Sequence, residues 1–269
     1  MIAIVGGGRM GRGLATALAD AGEAVLLWSR REATGSVEGA IAGAATILLA
    51  VPDDAIAEVA RQLSVASAVE PSQTVLHLSG LHDRRALRAL EGSGAALGSF
   101  HPLQTVSDPG TAGARWRGAY AAIEGDARAV AEGRRRSGLL GLTPVEIPSS
   151  AKAAYHAGAV MASNYVVVLA GIAARFATEA GVPGEVAGRI YLPMITGAAE
   201  NLQGHSAAAA LTGPVRRGDV ATLQAHLEAI PLEDRPLYAR LGLEALKLAR
   251  EAGLDEAKAV EVERVLRDY

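Results

Sequence analysis

The chain has 269 residues, half of them hydrophobic and a fifth charged, which suits one large domain or two ordinary ones with a sizeable core and is not the composition of a disordered chain. A formal net charge of −3 leaves no basic excess of the kind a nucleic-acid or anionic-membrane partner requires. The lack of cysteine excludes disulfides, thiolate nucleophiles and Cys-ligated metals, and fits a reducing cytoplasm.

The chain opens MIAIVGGG, a strand with no basic leader or cleavage site before it, so no signal peptide is expected. The pattern predicts strands at Ile2–Val5, Ala24–Trp28, Thr46–Val51, Thr74–Leu78, Gly94–Phe100, Tyr120–Ile123 and Thr143–Ile147. Helices are predicted between them at Met10–Ala21, Asp54–Leu63, Arg84–Leu90 and Asp126–Leu140. Continuous apolar strands such as ILLAV read as buried on both faces, and strand–helix alternation predicts a doubly wound parallel sheet. The character changes at Pro148. A long helix is predicted from about Ser150 to Ala180, ending at Gly181-Val182-Pro183, with further helices at Gly184–Leu202, Asp219–Ile230, Arg235–Ala252 and Asp255–Asp268. The expected plan is therefore α/β: a Rossmann domain over residues 1–148 and an all-helical domain over 149–269. The stretch Ala157–Ala174 is apolar enough to mimic a membrane span, but with Ser163, Asn164 and Tyr165 in its middle it reads as a buried central helix of a soluble domain.

Gly6-Gly7-Gly8-Arg9-Met10-Gly11 fits GxGxxG through Gly6, Gly8 and Gly11. It follows a strand and opens a helix, the context in which glycines let a pyrophosphate approach the backbone and the helix N-terminus. An NAD site usually places Asp or Glu at the end of the second strand for the ribose 2′-OH. This strand ends Trp28-Ser29-Arg30-Arg31, a hydroxyl and two guanidiniums that suit a 2′-phosphate, so NADP(H) is the expected cofactor. The alternative is that Arg30 and Arg31 are solvated loop charges. The strand ends Val51-Pro52-Asp53-Asp54, His77–Gly80 and Phe100–Gln104 should border the nicotinamide crevice, with Asp53 equally readable as the cap of the next helix.

The segments AVPDDAI (Ala50–Ile56), HLSG (His77–Gly80), SFHPLQT (Ser99–Thr105), YHAGAVMASNY (Tyr155–Tyr165) and LTGPVRRGD (Leu211–Asp219) together resemble, in order and over essentially the full length, the bacterial Rossmann-like family with a C-terminal domain of unknown function, DUF2520. More distantly the two-domain plan looks like pyrroline-5-carboxylate reductase, the F420-dependent NADP reductases and the 6-phosphogluconate dehydrogenase group. That resemblance implies hydride transfer to or from a nicotinamide, and a helical domain often shared across a homodimer.

For the chemistry, His156 and Asn164 lead among the helical residues. His156 and Ser163 share a helix face about 10 Å apart along the axis, with Asn164 about 80° round from His156. In the β-hydroxyacid dehydrogenase branch a Lys and an Asn one turn later occupy the corresponding helix. Here Lys152 lies one turn before His156 and Val160 stands where an Asn would follow, which makes His156 the preferred acid. The His101-Pro102 dipeptide is similar to the His-Pro segment of prephenate and arogenate dehydrogenases, and Ser79 sits near where those enzymes keep a serine. Gly213–Asp219 reads either as a loop that closes on an anionic substrate through Arg216 or Arg217, or as a helix connection. No metal-ligand spacing is present. The readings that follow are an NADP-dependent oxidoreductase of a small polar C=O or C=N substrate, a non-catalytic dinucleotide-binding or sensing protein, and a prephenate-dehydrogenase-like enzyme.

Overall fold

The computed structural model describes residues 1–32 and 35–269. Its contacts divide the chain into two compact units, Met1–Tyr165 and Val166–Tyr269.

The first unit is built on seven strands: β1 (Ile2–Val5), β2 (Val25–Trp28), β3 (Thr46–Leu49), β4 (Thr74–His77), β5 (Ala96–Leu103), β6 (Tyr120–Gly125) and β7 (Thr143–Glu146). They lie in the order β2-β1-β3-β4-β5-β6-β7. The order reverses beside β1, which opens the crevice expected of a doubly wound sheet. All seven predicted strands are present. The sheet departs from an all-parallel one at a single pairing, since β6 runs antiparallel to β5. The segment between them holds a 3-10 turn and the short helix Ala112–Trp116, which pack on the first helix instead of forming a crossover along the sheet.

Alternation along the strands supplies two cores. Ile2, Ile4, Leu48 and Leu76 point to one face, where they meet α1 (Arg9–Asp20) through Leu14 and Leu18, and α4 (Ala112–Trp116) through Trp116. Ala3, Val5, Ile47, Leu49 and Val75 point to the other, against α2 (Val37–Ile41) and α3 (Asp53–Val65). The inner strands run apolar at successive positions, as in Ile2–Val5 and Ile47–Leu49, because both faces are covered. The helix expected at Arg84–Leu90 is a 3-10 helix, Arg84–Ser93, and α2 and α4 were not legible as separate helices. On the first face α5 (Ala127–Leu140) joins β6 to β7.

The long helix expected from Ser150 to Ala180 is interrupted. It comprises α6 (Lys152–Ala162) and α7 (Asn164–Glu179), broken where Ser163 leaves helical geometry at φ −124°, ψ −72°. Helix α6 belongs to the first compact unit, although the change from strands to helices falls at Pro148, because its Lys152 is tied to the sheet. The expectation of a buried central helix is not met within the chain: in α7 only Ala177 is buried, and Val167 is 72% exposed. The span Ser149–Glu179 is long and apolar enough to cross a membrane by length and composition.

In the second unit the helix expected at Gly184–Leu202 is two, α8 (Gly184–Ala187) and α9 (Leu192–Gly204), because Pro193 lacks the N–H that a continuous helix needs and restarts it in a first turn. Short α10 (Ala207–Ala210) and α11 (Pro214–Arg217) precede α12 (Val220–Ala229), α13 (Arg235–Glu251) and α14 (Glu256–Arg267). The core of this unit is Val215, Leu223, Leu227, Leu246, Val262 and Leu266 with their neighbours. Asp219 and Asp255 cap α12 and α14 by accepting from Thr222 N and Lys258 N.

Candidate active site

The turn from β1 into α1 requires its glycines for different reasons. Gly6 has φ +130°, and a Cβ there would strike the Ala50 carbonyl; a Cβ on Gly11 would strike the Gly6 carbonyl oxygen. These two let the turn close onto β3. Gly8 is different, since a Cβ there would meet nothing within 4 Å. No packing among the described residues demands glycine at Gly8, and the space above it lies over the N-terminus of α1, which has no side-chain cap and no acid in its first turn. Unsatisfied N–H groups beneath open space are what a pyrophosphate needs, so the turn fits a dinucleotide.

A groove of about 580 Å³ extends from this turn, lined by Gly6–Gly8, Ser29–Arg31 and Val51–Pro52 among others. Thus Gly6, Gly8, Ser29, Arg30, Arg31, Val51 and Pro52 come together as expected. Gly11 supports the turn from beneath. Arg9 and Met10 are the first residues of α1 and do not line the groove; the Met10 side chain packs against the core. Two further residues enter it. Arg12 donates from Nε to the Gly7 carbonyl at 2.9 Å and from Nη2 to both carboxylate oxygens of Glu32 at 2.6 Å. An acid is therefore present beyond the second strand, four residues past Trp28, where it is already paired.

A hydrogen bond links this groove to the next strand end. Asp53 lies in the first turn of α3, with Pro52 at the cap position, so it does not serve as the cap. It accepts from Ser79 Oγ at 2.9 Å, and Ser79 Oγ in turn accepts from Leu81 N and His82 N. Ser79 is buried and its hydroxyl is fully engaged, so the expectation that it serves as a catalytic hydroxyl gives way to a role in shaping the turn after β4. His77 in the same turn is structural as well. Its Nε2–H donates to the Asp83 carbonyl at 3.0 Å, so Nδ1 accepts from Ser79 N at 3.2 Å, and burial lowers its pKa to about 4.

Gly80, the next residue, brings the two candidate histidines together. A Cβ there would lie 2.5 Å from His156 Nδ1 and 3.0 Å from His101 Nε2. The two rings meet edge to face with centroids 5.9 Å apart. His101 comes from β5 and His156 from α6, so glycine at position 80 is what admits both. His101 Nδ1 hydrogen-bonds the Tyr155 hydroxyl at 3.0 Å. His156 Nδ1 is buried and has no hydrogen-bond partner among the described residues. Beyond them opens a cavity of about 690 Å³, reached by His101, Gln104, Tyr155, His156, Ser163 and Asn164. The break at Ser163 does not remove Ser163 or Asn164 from this wall.

Beneath the pair lies Lys152, 1% exposed, donating from Nζ to the Ser79 carbonyl at 3.0 Å and to Ser99 Oγ at 2.8 Å. Burial pulls its pKa down to about 8 against the opposing pull of Glu124, Asp83 and Asp53. Burial, and then the Lys152 charge, hold the His101 pKa at about 4, while burial pushes the Tyr155 phenol up to about 12. At neutral pH His101 is an uncharged imidazole and Tyr155 an intact phenol. Lys152 is too deeply engaged to serve as a substrate-facing lysine. The sequence assigns no role to Tyr155 or Arg12, and Gly80 enters only as the end of the strand expected to border the crevice. The histidine after it in the chain could have drawn attention to Tyr155, but no spacing rule joins it to His101, 54 residues away.

Arg216 and Arg217 belong to the second unit. Arg216 donates to the Ala252 carbonyl at 2.9 Å, and Arg217 lies 3.8 Å from Asp219, the cap of α12. These contacts are those of a helix connection, closed by Gly218 at φ +68°. Among the described residues no group of three potential metal ligands occurs.

Residues 119–259 match the family described as a domain of unknown function, DUF2520. No curated protein matches the chain. Among solved structures, a protein of Thermotoga maritima superposes with a TM-score of 0.70 at 24% identity, over 93% of this chain and 99% of that one. A pyrroline carboxylate reductase of Plasmodium falciparum with NADP bound gives 0.63 at 14% identity, over 98% and 97%. An imine reductase of Myxococcus stipitatus in complex with NADP+ gives 0.60 at 16% identity, over 100% and 93%.

Proposed function

This chain belongs to the DUF2520 family, and on that footing we propose that it is an NADP(H)-dependent oxidoreductase acting on a small polar substrate with a C=O or C=N bond. The observation that carries the reading is the placement of a phosphate cradle and a paired-histidine cavity at neighbouring strand ends, joined through Asp53 and Ser79. Two similar reductases, those of Plasmodium falciparum and Myxococcus stipitatus, hold bound NADP, which supports the cofactor class.

When bound, a reduced nicotinamide supplies a hydride to an electrophilic carbon. The chain's own residues then have three tasks. His101, held neutral, contributes a hydrogen bond rather than a charge, and Tyr155 holds its ring through Nδ1. His156 passes a proton to the substrate oxygen or nitrogen, and the open cavity lets solvent replace it. Asn164 and Ser163 orient the polar end of the substrate. The prephenate-dehydrogenase-like reading is not retained, because the Ser79 hydroxyl it needs is bonded to Asp53.

Titration of the purified protein with NADPH and with NADH, followed by nicotinamide fluorescence, tests the cofactor; tight NADPH and weak NADH binding is expected, and binding of neither overturns the proposal. A screen of carbonyl and imine substrates then tests turnover. His156→Ala should lower turnover by ~10²–10⁴-fold with NADPH affinity nearly unchanged. Cofactor binding without any turnover in the screen would favour the sensing protein over the enzyme.

The same reading takes the exposed apolar residues Val166–Leu169 of α7 as the surface on which two copies associate, since a second copy offers the same uncharged face across a two-fold axis. Sedimentation as a monomer at micromolar concentration would remove that association.

A further inference from the structure

Arg12 occupies an unusual place in the dinucleotide groove. It rises from the first turns of α1, crosses the glycine turn to bond the Gly7 carbonyl, and ends against Glu32 beyond β2. Glycine at position 7 lets Ser29 pack against the turn, since a Cβ there would lie 2.7 Å from Ser29 Oγ, and Arg12 Nη2 lies in ordinary contact distance of the same point at 3.5 Å. Stability does not account for the arrangement. The Arg12 and Glu32 side chains are 41% and 60% exposed, and ion pairs of that kind contribute little. Nor is Arg12 alone, since the exposed Arg30 and Arg31 line the same wall. Three guanidiniums and one carboxylate thus line the groove at the end of the second strand, the edge where a Rossmann site meets the ribose 2′ position.

We propose that Arg12 is a specificity-determining residue for the 2′-phosphate and that Glu32 is its exchangeable partner. Glu32 holds the guanidinium fork in place when no phosphate is present. A 2′-phosphate, with more charge and a matching set of acceptor oxygens, takes over the fork and releases Glu32. A 2′-hydroxyl cannot, so the ion pair persists and the cofactor lacking the phosphate gains nothing from Arg12. The pair adds discrimination that Ser29, Arg30 and Arg31 on the strand end do not supply by themselves. The inference rests on the NADP(H) reading above.

The test is a set of binding constants for NADPH and NADH, from nicotinamide fluorescence, on the full chain and its Arg12→Ala, Glu32→Gln and doubly substituted variants. Thermal melting without cofactor should be unchanged in all three, as expected for a surface pair. Arg12→Ala should weaken NADPH by roughly 10- to 100-fold and leave NADH nearly unaltered. Glu32→Gln should tighten NADPH, because no carboxylate competes for the fork, and the gain should vanish in the double variant. Unchanged NADPH binding in Arg12→Ala, or equal losses for both cofactors, overturns the role of Arg12 while a wild-type preference for NADPH leaves the cofactor reading standing. A gain from Glu32→Gln that survives removal of Arg12 overturns the exchange. Equal wild-type affinities for the two cofactors overturn the NADP(H) reading and this inference with it.

Discussion

The dinucleotide groove and the histidine cavity lie along the same edge of one sheet, yet they are built from different materials. The phosphate end of the groove is backbone: a turn whose glycines bring it against Ala50, an uncapped helix N-terminus and the open space over Gly8. The cavity is made of side chains from separate parts of the chain, with His101 on β5, Tyr155 and His156 on α6, and Gly80 between them. The turn depends on its glycines, while the choice between cofactors falls to the side chains at the end of the second strand. A side-chain site depends on burial and on the charge beneath it, here Lys152.

Three experiments would sharpen or break that contrast. The largest effect is expected at the glycines. Gly6→Val and Gly11→Val put a side chain into a carbonyl oxygen and should destabilise the fold by several kcal/mol, on the order seen for strained or overpacked sites, as read by chemical unfolding. Gly8→Val should leave the unfolding midpoint alone and remove dinucleotide binding. If it binds NADPH as well as the parent chain does, the cradle is not a phosphate site.

The second effect is on stability against pH. His77 and His101 both titrate near 4 in the folded chain, against an ordinary 6.5. Between those values the unfolded chain binds more protons, so stability is complete above about 6.5 and is lost as the pH falls through 4. His77, with no exposed surface, should account for on the order of 3 kcal/mol of this loss. His77→Gln keeps a donor for the Asp83 carbonyl and should flatten the slope. A slope as steep as that of the parent chain would place the titration elsewhere.

The smallest effect is electrostatic and local. Lys152→Met removes a buried charge that helps hold His101 neutral, so the His101 pKa should rise from about 4 toward its ordinary value. Imidazole resonances followed through a pH titration would read it directly. An unchanged value would leave burial alone as the cause.

What could be read from residues in order was local. Glycine spacing after a strand, apolar runs buried on both faces, and the missing acid at Trp28–Arg31 each concern a few neighbouring residues whose geometry a strand or turn dictates. Hence all seven strands were legible, and so were the glycine turn and the Ser29–Arg31 and Val51–Pro52 walls of the groove, but not its Arg12–Glu32 pair. His101 and His156 were each identifiable, but the chain order did not place them together. That follows from the sheet order, which sets β4 beside β5, and from the Lys152 bonds that draw α6 onto both strand ends. The same holds for Ser79, whose hydroxyl is committed to Asp53 at 2.9 Å, and for Glu32, to which sequence position assigns no role and which pairs with Arg12. Periodicity and turn chemistry act over a few residues, so the sequence determined the sheet and its glycine turn. Hydrogen-bond partners and burial act through space, so only the tertiary structure decided which polar groups were free to do chemistry.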